Sequence, residues 1–270
     1  MRLNAKTLNL LKAEQRISHG NAEMKIAVLS DIHSNLEALL ACLDHARYQG
    51  AEQFVFLGDL LGYGADPKAC IEIIAPMVKA GAVAVLGNHD EAVLGGMCEN
   101  LAFVARDAIY WTREQLGQPE RDFIRALPMV ARNGDAYYVH ASADSPERWT
   151  YIDSGVAAAK CMQVSGSLLT FIGHVHHQTL YYTAGRGAAQ VFIPVPGVAI
   201  PVSRQRQWLA IAGSVGQQRD GSPAAAYLLH DLQRESLTFF RVPYDCMSAA
   251  AKIRAAGLPE RLARRLEKGN

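Results

Sequence analysis

The chain of 270 residues is poor in cysteine, and its five cysteines (Cys42, Cys70, Cys98, Cys161 and Cys246) are scattered, odd in number and without a CxxC pair. That spacing excludes a disulfide framework or a cysteine-built zinc knot and points to free thiols in a reducing compartment. No apolar run approaches the ~20 residues that span a bilayer, and no apolar signal core is visible. A cytoplasmic location without a membrane partner is the expectation. The formal charge of +1 lacks the basic excess of a dedicated nucleic-acid binder, although it leaves a nucleotide substrate open. There is no Gly-rich phosphate loop, no internal repeat and no hydrolase elbow around Ser142. What the chain does have is apolar residues, 50% of the total, enough for a sizeable core in one large domain.

Residues 1–23 are polar and precede a strongly patterned region, so they read as an N-terminal extension, with Met24 a candidate start. "KIAVLSDIH" reads as a buried strand. "SNLEALLACLDHARYQG" follows as a helix, with Ser34 and Glu37 spaced as a capping box. "QFVFLGD" is a second strand, and "DPKACIEIIAPMVKAG" a second helix with Asp66 as cap and Pro67 at its first position. "AVAVLGNHD" is a third strand. This β-α-β-α-β order calls for a parallel sheet covered by helices. Residues 99–117 and 119–127 carry helical spacing and are candidates for a lid. Strands follow: "AYYVHAS", "LLTFIGHVH", "TLYYT", "AQVFIPV", "WLAIAGS", "AAYLLHD" and "LTFFRV", with "SRQRQ" at 203–207 as a hairpin loop. The segment 247–268 reads as one basic helix with a solvated face. The expected organisation is an extension at 1–23, a domain at 24–247 and a basic C-terminal helix at 248–270.

Five of these strands end in ligand-type residues: Asp31 and His33, then Asp59, then Asn88 and His89, then His140, then His174 and His176. Carboxyl ends of parallel strands share one edge, where ligands bind. Carboxylate and amide oxygens with imidazoles suit Mn, Fe, Zn, Ni or Co rather than Cu(I). So many ligands favour two ions, and two ions need a bridge. Asp59, on the middle strand, supplies two oxygens for it. In "GHVH" an extended chain turns both histidines to one side. Any one of these motifs alone is weak; five in order, each after an apolar run, are not.

The series Asp31-x-His33, Gly58-Asp59, Gly87-Asn88-His89-Asp90, His140 and Gly173-His174-Val175-His176 resembles the calcineurin-like metallophosphoesterases. The resemblance covers most of residues 24–247. It is closest to a bacterial and archaeal branch that includes phosphodiesterases, diadenosine-tetraphosphatase-like proteins and protein phosphatases. "SDIHSNLEAL", "LGDLLGYGADP" and "GSVGQQRDGSPAAAY" are its recognisable phrases. It implies a four-layer α/β/β/α sandwich, two mixed β-sheets flanked by helices. It also implies two divalent metal ions, manganese favoured, one held by Asp31, His33, Asp59 and His176 and the other by Asp59, Asn88, His140 and His174. The implied reaction is hydrolysis of a phosphodiester or phosphomonoester by a metal-bridging hydroxide. A protein phosphatase, or a non-catalytic scaffold on the same fold, is the alternative. The substrate would be a small phosphate ester, a nucleotide or a phosphoprotein.

His89, next to Asn88, is assigned as general acid or as hydrogen-bond donor to the phosphate. What orients it is open, because "GDLLGYG" lacks the ending that supplies a carboxylate partner in eukaryotic-type phosphatases. Asp90 is expected to cap a helix or brace a ligand. Asn88, Tyr63 and Arg219 are candidate substrate contacts, with a packed turn and a hairpin salt bridge as the respective alternatives for the last two. Trp149 and Tyr151 are a candidate platform for an aromatic leaving group. His177 falls outside the site by alternation, and His19, His45 and His230 read as surface residues.

Overall fold

The computed structural model describes residues 24–96, 102–184 and 187–270. The extension at 1–23, with His19, and Cys98 lie outside the described residues. Strand β1 (Lys25–Leu29) pairs in parallel with β2 (Gln53–Phe56), and β2 with β3 (Val83–Ala84). Helix α1 (Leu36–Tyr48) and helix α2 (Pro67–Lys79) make the two crossovers. The predicted β-α-β-α-β unit is therefore present. Beyond β1 the same sheet turns antiparallel, in the order β3-β2-β1-β11-β12-β9, through β11 (Ala225–Asp231), β12 (Ser236–Val242) and β9 (Ala199–Pro201).

A second six-stranded sheet runs β4-β5-β6-β10-β7-β8. Its strands are β4 (Val130–Asn133), β5 (Ala136–Val139), β6 (Leu169–Ile172), β7 (Thr179–Tyr182), β8 (Gln190–Phe192) and β10 (Trp208–Ile211). Side-chain alternation builds the layers. Ile26 and Val28 of β1 meet Leu169 and Phe171 of β6 and Trp208 and Ala210 of β10 between the sheets. Ala27 and Leu29 face α1 and α2. Ile172, Leu209 and Ile211 face α6 (Gly155–Ser165) on the far side. The order of layers is helix, sheet, sheet, helix, as expected from the resemblance.

Several local expectations change. The cap of α1 is Asn35, whose Oδ1 accepts from the Ala38 N–H at 3.1 Å; Ser34 is held in a left-handed turn (φ 53°), and Glu37 pairs instead with Lys252. Asp66 stands at the N-cap of α2 as expected but makes no side-chain cap hydrogen bond; its carboxylate goes to Lys252 at 2.8 Å instead. Residues 203–207 are not a hairpin loop: β9 and β10 belong to different sheets, so this stretch is a crossover. Helix α3 (Asn88–Val93) packs against α4 (Phe103–Gln115) and α5 (Gln118–Ala126). Ile109 and Ile124 enter the core, so these two helices are part of the outer layer rather than a lid. The C-terminal segment is two helices, α7 (Cys246–Ala255) and α8 (Glu260–Lys268), broken at Gly257 and Pro259. Their apolar faces bury Ile253, Leu262 and Leu266 with Ala105, Ala108 and Tyr63.

Two histidines read as surface residues are not. His45 is half-buried, with Nδ1 2.8 Å from the Tyr227 hydroxyl. His230 is buried beside a cavity of about 270 Å³ between the sheets, lined by Ile26, Val55, Tyr138, Leu169 and Val202. This cavity lies at the amino ends of β1 and β2, the pole opposite the strand tips.

The two sheets are stapled near the other pole by Gln178. Its Nε2 lies 3.2, 3.0 and 3.2 Å from the carbonyls of Ala212, Tyr227 and Phe240. Replacing it with leucine strands those carbonyls, at a cost of about 1–3 kcal/mol. Urea unfolding of Gln178→Leu should show a lowered midpoint; an unchanged midpoint would mean the amide holds nothing together.

Candidate metal centre

All the ligand-type residues singled out above lie just past strand ends at one pole. Asp31 and His33 follow β1, Asp59 follows β2, Asn88 and His89 open α3 after β3, His140 follows β5, and His174 and His176 follow β6. The three parallel strands of the first sheet and the parallel pair of the second thus bring their carboxyl ends together. The geometry of "GHVH" differs from the expectation. His174 and His176 have φ of 64° and 67°, so the chain there is left-handed rather than extended, and the two rings go to separate clusters. Asp31, His33 and Asp59 share that conformation, at φ 53°, 48° and 50°. Left-handed backbone costs a non-glycine residue of order 1–3 kcal/mol, and such strain gathers at functional sites.

Two clusters result, each with its ligand atoms within 4.8 Å of one another: Asp31, His33 and His176, and Asp59, His140 and His174. Asn88 joins the second, with Oδ1 3.1 Å from His140 Nε2. Asp59 lies between them. Its Oδ2 is 3.7 Å from His33 Nε2 and 3.4 Å from His140 Nε2, while its Oδ1 is pinned by the His89 backbone N–H at 2.8 Å.

The ring tautomers reveal what these clusters need. His33 Nδ1 faces the Leu61 carbonyl at 3.0 Å, His176 Nδ1 the Gln217 carbonyl at 2.5 Å, and His140 Nδ1 the Leu57 carbonyl at 2.7 Å. A carbonyl only accepts, so each Nδ1 carries a hydrogen, and a ring in its neutral form turns a bare Nε2 inward. The Nε2 atoms of His33 and His176 stand 3.3 Å apart, and the His176 Nε2 is 3.1 Å from Asp31 Oδ1. Among the described residues Asp31 Oδ1 itself has no hydrogen-bond donor, and His174 Nε2 has no partner. Two lone pairs and a carboxylate converging on one point repel each other unless a positive charge sits among them. The donor set fits borderline-to-hard divalent cations held by oxygen and imidazole.

The electrostatics agree. Burial opposes charge on both carboxylates, but the surrounding imidazoles outweigh it, and Asp31 and Asp59 both titrate well below the usual carboxylate range. Burial pulls His174 down to about 3 and His176 to about 4, so both rings are neutral and ready to ligate. His140 is pulled down by burial and lifted by Asp59, the net being about 9. Asp59 thus favours positive charge at that spot.

Around the clusters, burial holds His89 down to about 3 against the pull of Asp59. Among the described residues its Nδ1 has no hydrogen-bond partner, and it lies against Gly62, where a Cβ would come within 2.6 Å of it. No carboxylate among the described residues hydrogen-bonds this ring; Tyr63 and His33 pack against it, with ring centroids at 4.5 and 4.9 Å. Asp90 accepts from the N–H groups of Gly87 and Leu61, both at 3.1 Å, and so braces the loops that carry Asn88 and Asp59. Tyr63 is buried and packed, yet its hydroxyl reaches Arg219 Nη2 at 3.3 Å. Arg219 makes no hairpin salt bridge among the described residues; its neighbour Asp220 pairs with Arg241 instead. Tyr151 is half-exposed and stacks on His174 at 4.0 Å, and Trp149 meets His140 edge-on at 5.8 Å. Both therefore line the rim. Val175 packs away from the clusters and His177 is exposed, as expected.

Sequence reasoning missed Gln217 and Arg265. Gln217 is buried in the loop "GSVGQQRDG", whose Val215 and Gly216 N–H groups bond the β1 tip at Ser30 and Asp31. The phrase was legible, but no single residue in it announced a role.

The family profile described as calcineurin-like phosphoesterase matches residues 24–197. The chain belongs to that family. It is 34% identical over 248 residues to an uncharacterised protein, MJ0912, of Methanocaldococcus jannaschii, covering 89% of this chain and 96% of that one. It is 35% identical to a metallophosphoesterase of Sphaerobacter thermophilus whose crystal structure superposes with a TM-score of 0.79 over 92% of this chain and 99% of that chain. A hypothetical protein of Pyrococcus horikoshii, PH1004, shares the fold at 19% identity, with a TM-score of 0.74 over 92% and 99% of the two chains. No described helix of this phosphoesterase is long and apolar enough to cross a membrane.

Proposed function

We propose that this protein is a dinuclear metal-dependent hydrolase of phosphate esters, acting in the cytoplasm on a small ester or nucleotide. The observation that carries the reading is the Asp59 carboxylate, with one oxygen facing both clusters and the other tied to the backbone. In this reading Asp31, His33, Asp59 and His176 hold one ion and Asp59, Asn88, His140 and His174 the other, manganese being the favoured metal. Ions bound there acidify water to supply the nucleophile at neutral pH and offset charge on the phosphoryl oxygens.

The chain's own residues do the rest. The carbonyls of Leu57, Leu61 and Gln217 fix three imidazoles in the tautomer that leaves Nε2 free. His89 is buried and neutral, which favours hydrogen-bond donation to the phosphate over general acid catalysis, since a ring already deprotonated has no acidic proton to give at neutral pH. Tyr63 and Arg219 flank it on the substrate side. Asn88 offers its amide both to the second cluster and to substrate. A non-catalytic scaffold is disfavoured because every ligand position is filled by a competent side chain.

The deciding experiment is metal analysis of the purified protein with turnover of p-nitrophenyl phosphate and bis-p-nitrophenyl phosphate. Two ions per chain and metal-dependent release of p-nitrophenol are expected; fewer than one ion, or no turnover with any added metal, overturns the reading. His89→Ala should keep both ions and lose about 10²-fold in kcat. Loss of metal along with rate would make His89 a structural residue instead.

A further inference from the structure

We propose that Arg219 and Arg265 form a second anion site beside the paired clusters, and that the substrate therefore carries a second phosphate next to the one cleaved. This rests on the phosphoesterase reading above.

The two guanidinium groups converge on one neutral acceptor. Gln217 Oε1 lies 3.1 Å from Arg219 Nη2, 3.4 Å from Arg219 Nε and 3.4 Å from Arg265 Nη1. Arg219 also reaches the Tyr63 hydroxyl, and Arg265 Nε also donates to a main-chain oxygen of Asn270 at 3.2 Å. Neither pairs with a side-chain carboxylate among the described residues. The contrast with the same helices is informative. Arg254 binds Glu260 and Glu267, and Arg264 binds Glu260, so α8 spends its carboxylates on its other face. Two half-buried cations that share one amide oxygen repel each other. Burial and the nearby Arg219 both push the Arg265 guanidinium down from its ordinary value. A dianion is the ligand that relieves this, and a guanidinium fork suits phosphate oxygens.

Position makes the anion part of the substrate. Arg219 touches the hydroxyl of Tyr63, whose ring lies 4.6 Å from that of His33 and 4.5 Å from that of His89. The pair is thus one tyrosine ring from the clusters. Gln217 ties the two regions together: its carbonyl accepts from His176 and its side chain holds both arginines. A phosphomonoester or simple diester seated at the clusters leaves these arginines idle, whereas a diphosphate or longer polyphosphate ester engages them.

The test measures binding to the metal-loaded, full-length protein by calorimetry, with methylenediphosphonate and methylphosphonate as probes that cannot be hydrolysed. Methylenediphosphonate should bind tighter by at least about tenfold, the worth of one charge-assisted contact. Arg265→Gln, a half-exposed position on α8, should erase most of that ratio, and Arg265→Lys should restore part of it. A bisphosphonate can also prefer paired metals on its own account, so an unchanged ratio in Arg265→Gln overturns the proposal, as does equal binding of the two probes in the unaltered protein. Thermal melting confirms that the variant is folded. Turnover of p-nitrophenyl phosphate in the same preparations separates the two readings. Turnover with no diphosphonate preference sinks the second anion site alone; the preference without turnover sinks the hydrolase reading and supports the anion site.

Discussion

Asp59→Asn should lower kcat/KM for p-nitrophenyl phosphate by on the order of 10³–10⁴-fold, the largest effect of any single ligand, and should cut bound metal to one ion or fewer. Asn has the same shape, so the backbone hydrogen bond from His89 N–H to the side-chain oxygen survives, and the loop stays in place. What is lost is the charge at Oδ2, the atom that faces His33 and His140 at 3.7 and 3.4 Å. An amide presents one oxygen, already engaged, and turns an NH₂ toward the imidazoles. In the proposed reading every other ligand serves one cluster, whereas Asp59 serves both. Metal-induced gain in Tm should shrink in parallel, because ligand-linked stability follows affinity for the folded state. Atomic absorption and differential scanning calorimetry on the same samples check both. A variant that keeps two ions and normal rate would remove Asp59 from the bridging position.

The ligand set was readable in the sequence because each member ends an apolar run, and a run that is β-branched and buried leaves little doubt about where a strand stops. Asp31, Asp59, Asn88, His140 and His174 lie just past β1, β2, β3, β5 and β6 for that reason. What was not readable is conformational. Nothing in "GHVH" says that both histidines adopt left-handed backbone, yet this is what sends them to different clusters. Helix α6 escaped notice because "GVAAAKCMQVS" is alanine-rich and has no clear apolar stripe; its cap, Ser154, accepts from Ala157 N–H, but a lone serine is a weak signal. The three carbonyls that set the imidazole tautomers carry no sequence signature, since every residue has a carbonyl. Arg265 was hidden differently. It sits in a basic run that reads as a solvated face, and only the fold of α7 back onto α8 turns it toward Gln217 while Arg254 and Arg264 face their glutamates. Two sheets rather than one were expected from the resemblance; the strand pattern alone does not divide twelve strands between them.

Gly87→Ala should be nearly as damaging as loss of a ligand, although Gly87 has no side chain to offer a metal. A Cβ there would stand 2.1 Å from the Asp59 backbone nitrogen and 2.2 Å from Asp59 Oδ1. Across the gap, a Cβ on Gly58 would meet the Gly87 nitrogen at 2.7 Å. The tips of β2 and β3 are therefore in backbone contact, and this contact sets how far Asp59 stands from Asn88. The methyl group cannot be absorbed by a rotamer change, because the clash is with main chain. The strands must part, at a cost above the ~1–3 kcal/mol usual for overpacking. A displacement near 1 Å at a reacting centre costs about 10²-fold in rate, and here both clusters share the displaced carboxylate. Gly87→Ala should thus bind less metal and lose at least about 10²-fold in kcat/KM while retaining its circular dichroism spectrum. Gly134→Ala is the control. It lies in the β4–β5 turn with open space around it, at φ 55°. Its cost is the ~1–2 kcal/mol of left-handed alanine, with metal content and rate intact. If both alanine variants lower Tm alike and both keep two ions, the close approach of the β2 and β3 tips does not position the bridge, and the left-handed turn at Asp59 must hold the carboxylate alone.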